Sequence, residues 1–318
     1  MPPVPLSPEK ALHDLRQREE GWHQRKSFVW GLDTGFHALN RMMGGFHPGL
    51  IVLGARTSHG KSVFCFQIGM HVARSISAEW LASGAETPPG QVVLFSPELT
   101  VTSIMERYAS QRSGVPVLSV KRGQASDEER QRWLAAAEEF ALLSPCYKLW
   151  AGEGMSAVEI VDHIEAAHIE GPPVRLAVVD YLQYLDLASL SSNYFEALGR
   201  SAKRFRDVAN RLNIPILVAA QLNRDVEKAR QGGDERPPEL SDFEGSGKIE
   251  QTCNVGILLW RPPEPQRSTG SVKPQEATVF IRKNTDGPTG ECKMLYYPDL
   301  ALFADLPSER VQSDGGTL

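Results

Sequence analysis

A chain of 318 residues can hold one large α/β domain with appendages or two small domains. With 41% hydrophobic and 23% charged residues it has the make-up of an ordinary globular protein, and its net charge of −5 excludes a globally basic nucleic-acid binder. Several features together predict a soluble cytosolic protein with no membrane attachment. No apolar run reaches transmembrane length, and the Pro-rich start has no signal-peptide core. The cysteines (Cys65, Cys146, Cys253, Cys292) lack CxxC spacing, and the histidines do not cluster as metal ligands.

Residues 1 to about 28 read as an arm rather than a domain. A charged amphipathic helix from Ser7-Pro8-Glu9-Lys10 to about Glu20 has too little apolar surface to fold alone. It must dock on its own core or on a neighbouring subunit. Next, Asp33 or Thr34 is placed to cap a short helix with Phe36, Leu39 and Met43 on its apolar face, and Gly44-Gly45 ends it.

The stretch LIVLGARTSHGKS, Leu50 to Ser62, organises the rest of the chain. A strand-like apolar run, a small-residue loop, Gly60-Lys61-Ser62 and then the helical spacing of VFCFQIGMHVA are the layout of a phosphate-binding loop. In such a loop, residues 55–62 (Ala55, Arg56, Thr57, Ser58, His59, Gly60, Lys61, Ser62) wrap β- and γ-phosphates with backbone N–H groups. Lys61 adds positive charge, and the Ser62 hydroxyl is placed to ligate Mg²⁺. Ala55 stands where the strict pattern has glycine. A plain structural turn would leave Lys61 between apolar elements with no anionic partner.

Further strands are expected at Gln91–Phe95, Tyr147–Trp150, Val174–Val179, Ile214–Ala219, Val255–Trp260, Ala277–Arg282 and Lys293–Tyr297. Helices are expected at Val101–Arg112, from the capping box at Ser126 to about Leu143, at Ser156–His168 with Val158, Val161, Ile164 and Ala167 inward, and at Tyr194–Leu212. Residues 225–240 read as a mobile loop, and the polar tail after Pro307 as disordered. The expected organisation is an arm (1–28), one domain carrying the phosphate-binding loop (29–306) and a tail (307–318).

Short apolar strands alternating with helices predict a mostly parallel sheet covered on both faces, with chemistry at the strands' carboxyl ends. The P-loop, Glu98, Asp180 and Gln221 all fall at such ends. Their convergence would suit nucleoside triphosphate hydrolysis. Asp180 would hold the metal's water, Glu98 would polarise the attacking water, and Gln221 would sense the γ-phosphate.

From about Gly31 to Gly290 the chain resembles the RecA-like motor domain of DnaB-family replicative helicases. GLDTGFHALN, ARTSHGKS, FSPEL, VVDYLQ, AAQLNR, LSDFEGSGKIEQ and KNTDGPTG occur in that family's order, and Ala55 is itself a family feature. The resemblance implies a RecA-like P-loop ATPase using ATP and Mg²⁺, assembled as a ring or helical oligomer, that translocates 5′-to-3′ on single-stranded DNA. It implies Lys61 and Ser62 as nucleotide ligands, Glu98 as catalytic base, Asp180 as the Walker B carboxylate and Gln221 as γ-phosphate sensor. It also implies that Lys283 is presented to the neighbouring subunit's nucleotide. Loops after Gln221 (Asn223, Arg224) and around Glu244 to Lys248 (Gly245, Ser246, Gly247, Lys248) would contact DNA. Backbone N–H groups, a hydroxyl and one ammonium there suit sequence-independent phosphate tracking.

Two departures stand out. Where the family carries an arginine finger, two residues after Lys283, this chain has Thr285, and Arg282 projects to the opposite face of the strand. The family's N-terminal helical domain, which engages primase, has no counterpart beyond the arm, so a primase partner is not implied, whereas a loader remains open. The readings left open are a weak motor, an ATP-switched assembly protein of the same fold and, more distantly, a recombinase-like filament.

Overall fold

The apolar run at Leu50 forms β1 (Gly49–Ala55), buried along its whole length. It is buried because it sits inside the sheet, hydrogen-bonded in parallel to β5 (Pro215–Gln221) on one side and β6 (Val255–Trp260) on the other. The computed structural model describes residues 28–186, 191, 193–223, 237–243, 246–262 and 274–307, with scattered positions between 7 and 20. The remaining strands are β2 (Gln91–Ser96), β3 (Tyr147–Ala151), β4 (Val174–Val179), β7 (Gln275–Asn284), β8 (Gly290–Tyr297) and β9 (Leu302–Asp305). The sheet runs β3-β2-β4-β5-β1-β6-β7-β8-β9. From β3 to β6 it is parallel, and β7, β8 and β9 add an antiparallel edge.

Alternation along the strands divides the core into two layers. Ile51 and Leu53 of β1 and Leu217 and Ala219 of β5 face one layer, with α1 (His37–Met43) and α2 (Lys61–Ser83). Leu50, Val52, Ile216 and Val218 face the other, with α6 (Ala157–Glu170) and α7 (Tyr194–Leu212). Each fully buried Leu or Ile contributes about 1.5–3 kcal/mol. The expected mostly parallel sheet covered on both faces is what the structure contains.

Further helices among the described residues are α3 (Val101–Ser113), α4 (Val117–Lys121), α5 (Asp127–Leu142) and α8 (Ser246–Thr252). The Ser126 capping box opens α5 as expected, and a second box, Ser156 with Glu159, opens α6. Gly44, with φ +69°, ends α1.

Local expectations and structure differ at several points. Neither Asp33 nor Thr34 caps α1, because its N-cap is Phe36. The N–H groups of His37 and Ala38 donate instead to the Asp305 carboxylate of β9, at 2.9 and 3.1 Å. Asp33 accepts from Gly35 N and Asn40 Nδ2. On α6, Val158 is only half-buried while Ile160 is fully buried, so the inward stripe is rotated toward residue 160. Strand β5 runs on to Gln221, making that residue part of the strand.

The arm is described only in part. Its described positions from Pro8 to Glu20 are helical, with Leu12 and Leu15 exposed. Residues 224–236 and the tail from 308 lie outside the described residues.

Candidate nucleotide site and adjoining groove

The loop between β1 and α2 needs backbone that only small residues supply. Gly60, the N-cap of α2, has φ +94°, and a Cβ there would lie 2.9 Å from the Phe303 ring. Ser58 is also left-handed, at φ +63°. The turn closes through His59 N to Arg56 O at 3.2 Å, after which α2 begins at Lys61 with its open first-turn N–H groups facing the loop. Arg261, just past β6, braces the loop from behind. Its N–H donates to His59 Nδ1, and its guanidinium donates to Ser58 O and to Gln275 Oε1 while stacking 4.4 Å over Tyr296. Nothing in the sequence around Arg261 signals this contact.

A cleft of about 680 Å³ opens over the loop. Thr57, Ser58, Gly60, Lys61 and Ser62 line it, together with Glu98, Arg107 and Gln221. Of the other loop residues, Ala55 ends β1 and does not line the cleft, and Arg56 and His59 are turned inward and buried. Glu98 follows β2 and Gln221 ends β5, so the strand-end convergence expected from the sequence is present. Lys61 is buried, with its ammonium 5.5 Å from the Tyr181 ring centroid.

Asp180, directly after β4, is fully buried and sits by Lys61 and Ser62. Burial pushes its carboxyl up to about 6, against the downward pull of Ser62, Lys61 and Arg107, while Glu98 adds to the rise. Ser62 acts on it from nearby without a formed hydrogen bond, and neither carboxylate oxygen has a hydrogen-bond partner. A buried carboxylate with both oxygens open, beside a serine hydroxyl and a phosphate loop, is a donor set that fits a hard divalent cation such as Mg²⁺. Arg107 on α3 is a further cation on the cleft wall, half-buried, that the sequence reading did not single out.

Gln221 is held from two sides. Its Nε2 donates to Thr57 Oγ1 at 3.0 Å, tying β5 to the phosphate loop. Its backbone is clamped by Gln183, which accepts from Gln221 N at 2.9 Å and donates to Gln221 O at 3.2 Å. Two residues on, Asn223 N donates to Asp242 O at 2.7 Å, and Leu222 bridges to Phe243.

Lys283 lies elsewhere. It pairs with Gly256 at the start of β6, the end opposite the P-loop, and its Nζ donates to Glu250 O at 2.5 Å. Thr285 beside it donates to Asp286. Arg282 stacks on Phe280 of its own strand at 4.3 Å. The structure therefore brings neither Lys283 nor Arg282 to the cleft of its own chain.

Of the expected DNA-contacting residues, Asn223, Gly247 and Lys248 line one open groove of about 560 Å³ between α7 and α8. Ser246 begins α8, and Arg224, Glu244 and Gly245 lie outside the described residues. Of the basic residues exposed on α7, three form ion pairs: Arg200 with Glu196, Lys203 with Asp207 and Arg211 with Glu165.

A largely parallel α/β sheet carrying a P-loop, a buried strand-end carboxylate and converging polar strand ends defines a RecA-like P-loop domain. Comparison with known proteins narrows the class. Residues 31–305 match the DnaB-like helicase C terminal domain, and the chain belongs to that family. It is 26% identical to the replicative DNA helicase DnaB of Haemophilus influenzae over 92% of its length and 58% of that protein's. It is 25% identical to the Bacillus subtilis replicative DNA helicase DnaC over 93% of its length and 61% of that protein's. The chain thus spans little more than half of these relatives. In fold it resembles a separately solved ATPase domain, with a TM-score of 0.79 at 22% identity over 95% of this chain and 100% of that one. It also resembles a DnaB-like replicative helicase solved with regard to its interactions with primase, with a TM-score of 0.76 at 22% identity over 95% of this chain and 68% of that one. Among the described residues no helix is long and apolar enough to cross a membrane.

Proposed function

We propose that this chain is an ATP-hydrolysing motor of the DnaB type, acting on single-stranded DNA in the cytoplasm as a homo-oligomer. The observation that carries the reading is the meeting of Lys61, Ser62, Glu98 and Gln221 in one cleft over the orphaned carboxylate of Asp180. Residues 55–62 hold the triphosphate, with Lys61 on the β- and γ-phosphates. Ser62 and Asp180 would hold Mg²⁺, which when bound would neutralise phosphate charge. Glu98 takes the proton from the attacking water as the γ-phosphoryl group passes to it and ADP leaves. Gln221 reads the γ-phosphate from its place on Thr57. Arg107, in cis, adds positive charge where Thr285 supplies none in trans.

Two features support assembly. Lys283 stands at the sheet end away from its own cleft, where a neighbouring copy can use it. The exposed Leu12 and Leu15 are apolar surface that the chain's own core does not cover. Residues 29–306 then act as the motor unit and residues 1–28 as the lacing arm.

Thr285 favours a second reading, in which ATP binding switches assembly with little turnover. MgATP hydrolysis with and without single-stranded DNA, with Lys61→Ala as the blank, separates the two. The motor reading expects turnover that rises with DNA and vanishes in the variant. Tight ATP binding with negligible turnover in both conditions would replace it with the switch.

A further inference from the structure

The groove between α7 and α8 contains an element that the phosphate-tracking loops do not account for. Phe195, in the first turn of α7, is 55% exposed at the groove's edge. Tyr194 meets its ring edge-on, with centroids 5.6 Å apart and planes at 70°. Lys248, Asn223 and Gln251 line the same groove. The aliphatic stem of Lys248 rests directly on the α7 backbone at Gly199. A Cβ at that glycine would lie 2.6 Å from Lys248 Cδ and 2.9 Å from its Cβ. Any side chain at residue 199 would push the lysine off this seat, so the missing side chain of Gly199 sets where the ammonium projects.

An exposed aromatic ring beside a seated cation and two amide side chains matches the chemistry of an unpaired nucleotide. The base offers a flat face, the phosphate a negative charge, and the base edges and sugar take amide hydrogen bonds. A peptide ligand would be expected to find apolar walls on both sides, and here Phe243, the other aromatic of the groove, is buried in the core. We propose that Phe195 is a stacking platform for one unpaired base and that Gly199 seats Lys248 to take the adjoining phosphate. This rests on the single-stranded DNA reading and adds to it a contact to bases that is indifferent to their sequence. The site also lies two residues along the chain from the nucleotide cleft, because Asn223 follows Gln221.

The test uses the full chain with a non-hydrolysable ATP analogue and fluorescence anisotropy on labelled oligo(dT) and on an abasic deoxyribose-phosphate strand of equal length. Phe195→Ala is expected to weaken oligo(dT) binding roughly 5- to 100-fold and to leave the abasic strand unaffected, with Phe195→Trp restoring it. Lys248→Ala and Gly199→Val are expected to weaken both strands and lower the salt slope by about one phosphate contact, which Phe195→Ala does not. Wild-type affinity in Phe195→Ala, or an equal loss on both strands, would overturn the stacking role alone. Loss of self-association in sedimentation with DNA binding intact would also overturn it, marking the groove as an interface between copies. Failure of the wild-type chain to bind either strand would overturn the DNA reading itself.

Discussion

Gln183→Met keeps side-chain volume and removes both hydrogen bonds that clamp the Gln221 backbone, the acceptor contact at 2.9 Å and the donor contact at 3.2 Å. Each is worth about 0.5–1.5 kcal/mol net, so the variant should lose about 1–3 kcal/mol. For a chain of this size that corresponds to a Tm lower by about 2–6 °C. The functional effect should exceed the loss of stability. Gln221 still reaches Thr57 through its side chain, but from a strand end free to shift, and misplacement of a group at the reacting phosphate costs about 10- to 100-fold. Differential scanning fluorimetry gives the first quantity and DNA-stimulated kcat, at a temperature where the variant is fully folded, gives the second. Gln183→Glu keeps an acceptor for Gln221 N but sets a carboxylate oxygen against Gln221 O, so it should lose at least as much as Gln183→Met. An unchanged Tm would show that the clamp stabilises nothing. A lowered Tm with unchanged kcat would show that Gln183 is structural and that Gln221's position does not govern hydrolysis.

Arg107→Ala should leave ATP binding within a few-fold and lower kcat by about 10²-fold or more, with Arg107→Lys recovering part of it, as single-turnover hydrolysis will report. If Arg107→Ala hydrolyses at the wild-type rate, the cis charge is not used. Asp180→Asn removes an unpaired buried charge, so the nucleotide-free protein should gain about 1–3 kcal/mol, read as a higher Tm, while MgATP hydrolysis is lost. Asp305→Ala strips the two N–H groups of α1 of their acceptor and should cost about 1–3 kcal/mol, measurable by urea titration. Asp33 is held well below the usual carboxylate range, chiefly by His71 and then by Gly35 and Asn40. Its stabilising effect should be full above pH 3.8, its unfolded value, and fade as pH falls below that. The Tm gap between wild type and Asp33→Ala should therefore close on acidification, and a gap independent of pH would refute this.

What could be read from the sequence is what a strand dictates for its own end. Asp180, Glu98 and Gln221 follow apolar runs whose burial on both faces leaves the carboxyl ends as the first place a polar group can stand, so their meeting was predictable without any long-range contact. The P-loop was legible for the same local reason. What escaped prediction depends on partners far away in the chain. Asp305 caps a helix 267 and 268 residues earlier, displacing the local candidates Asp33 and Thr34. Arg261 braces a loop about 200 residues before it. No aromatic-basic patch could be read from the sequence, because Phe195 and Lys248 lie on different helices and meet only through the packing of α7 on α8.

The cleft lies at the carboxyl ends of the strands and the groove between α7 and α8, and strand β5 leads from one to the other. Gln221 is tied to Thr57 in the phosphate loop, and Asn223 is hydrogen-bonded to Asp242 beside the groove. The last ladder contact of that strand is Ala55 with Gln221, and the chain leaves the sheet immediately after it. On the proposed motor reading, a bond made or lost at Thr57 has a two-residue covalent path to Asn223, so Gln183→Met should also weaken the dependence of single-stranded DNA affinity on bound nucleotide, and an unchanged dependence would refute that coupling.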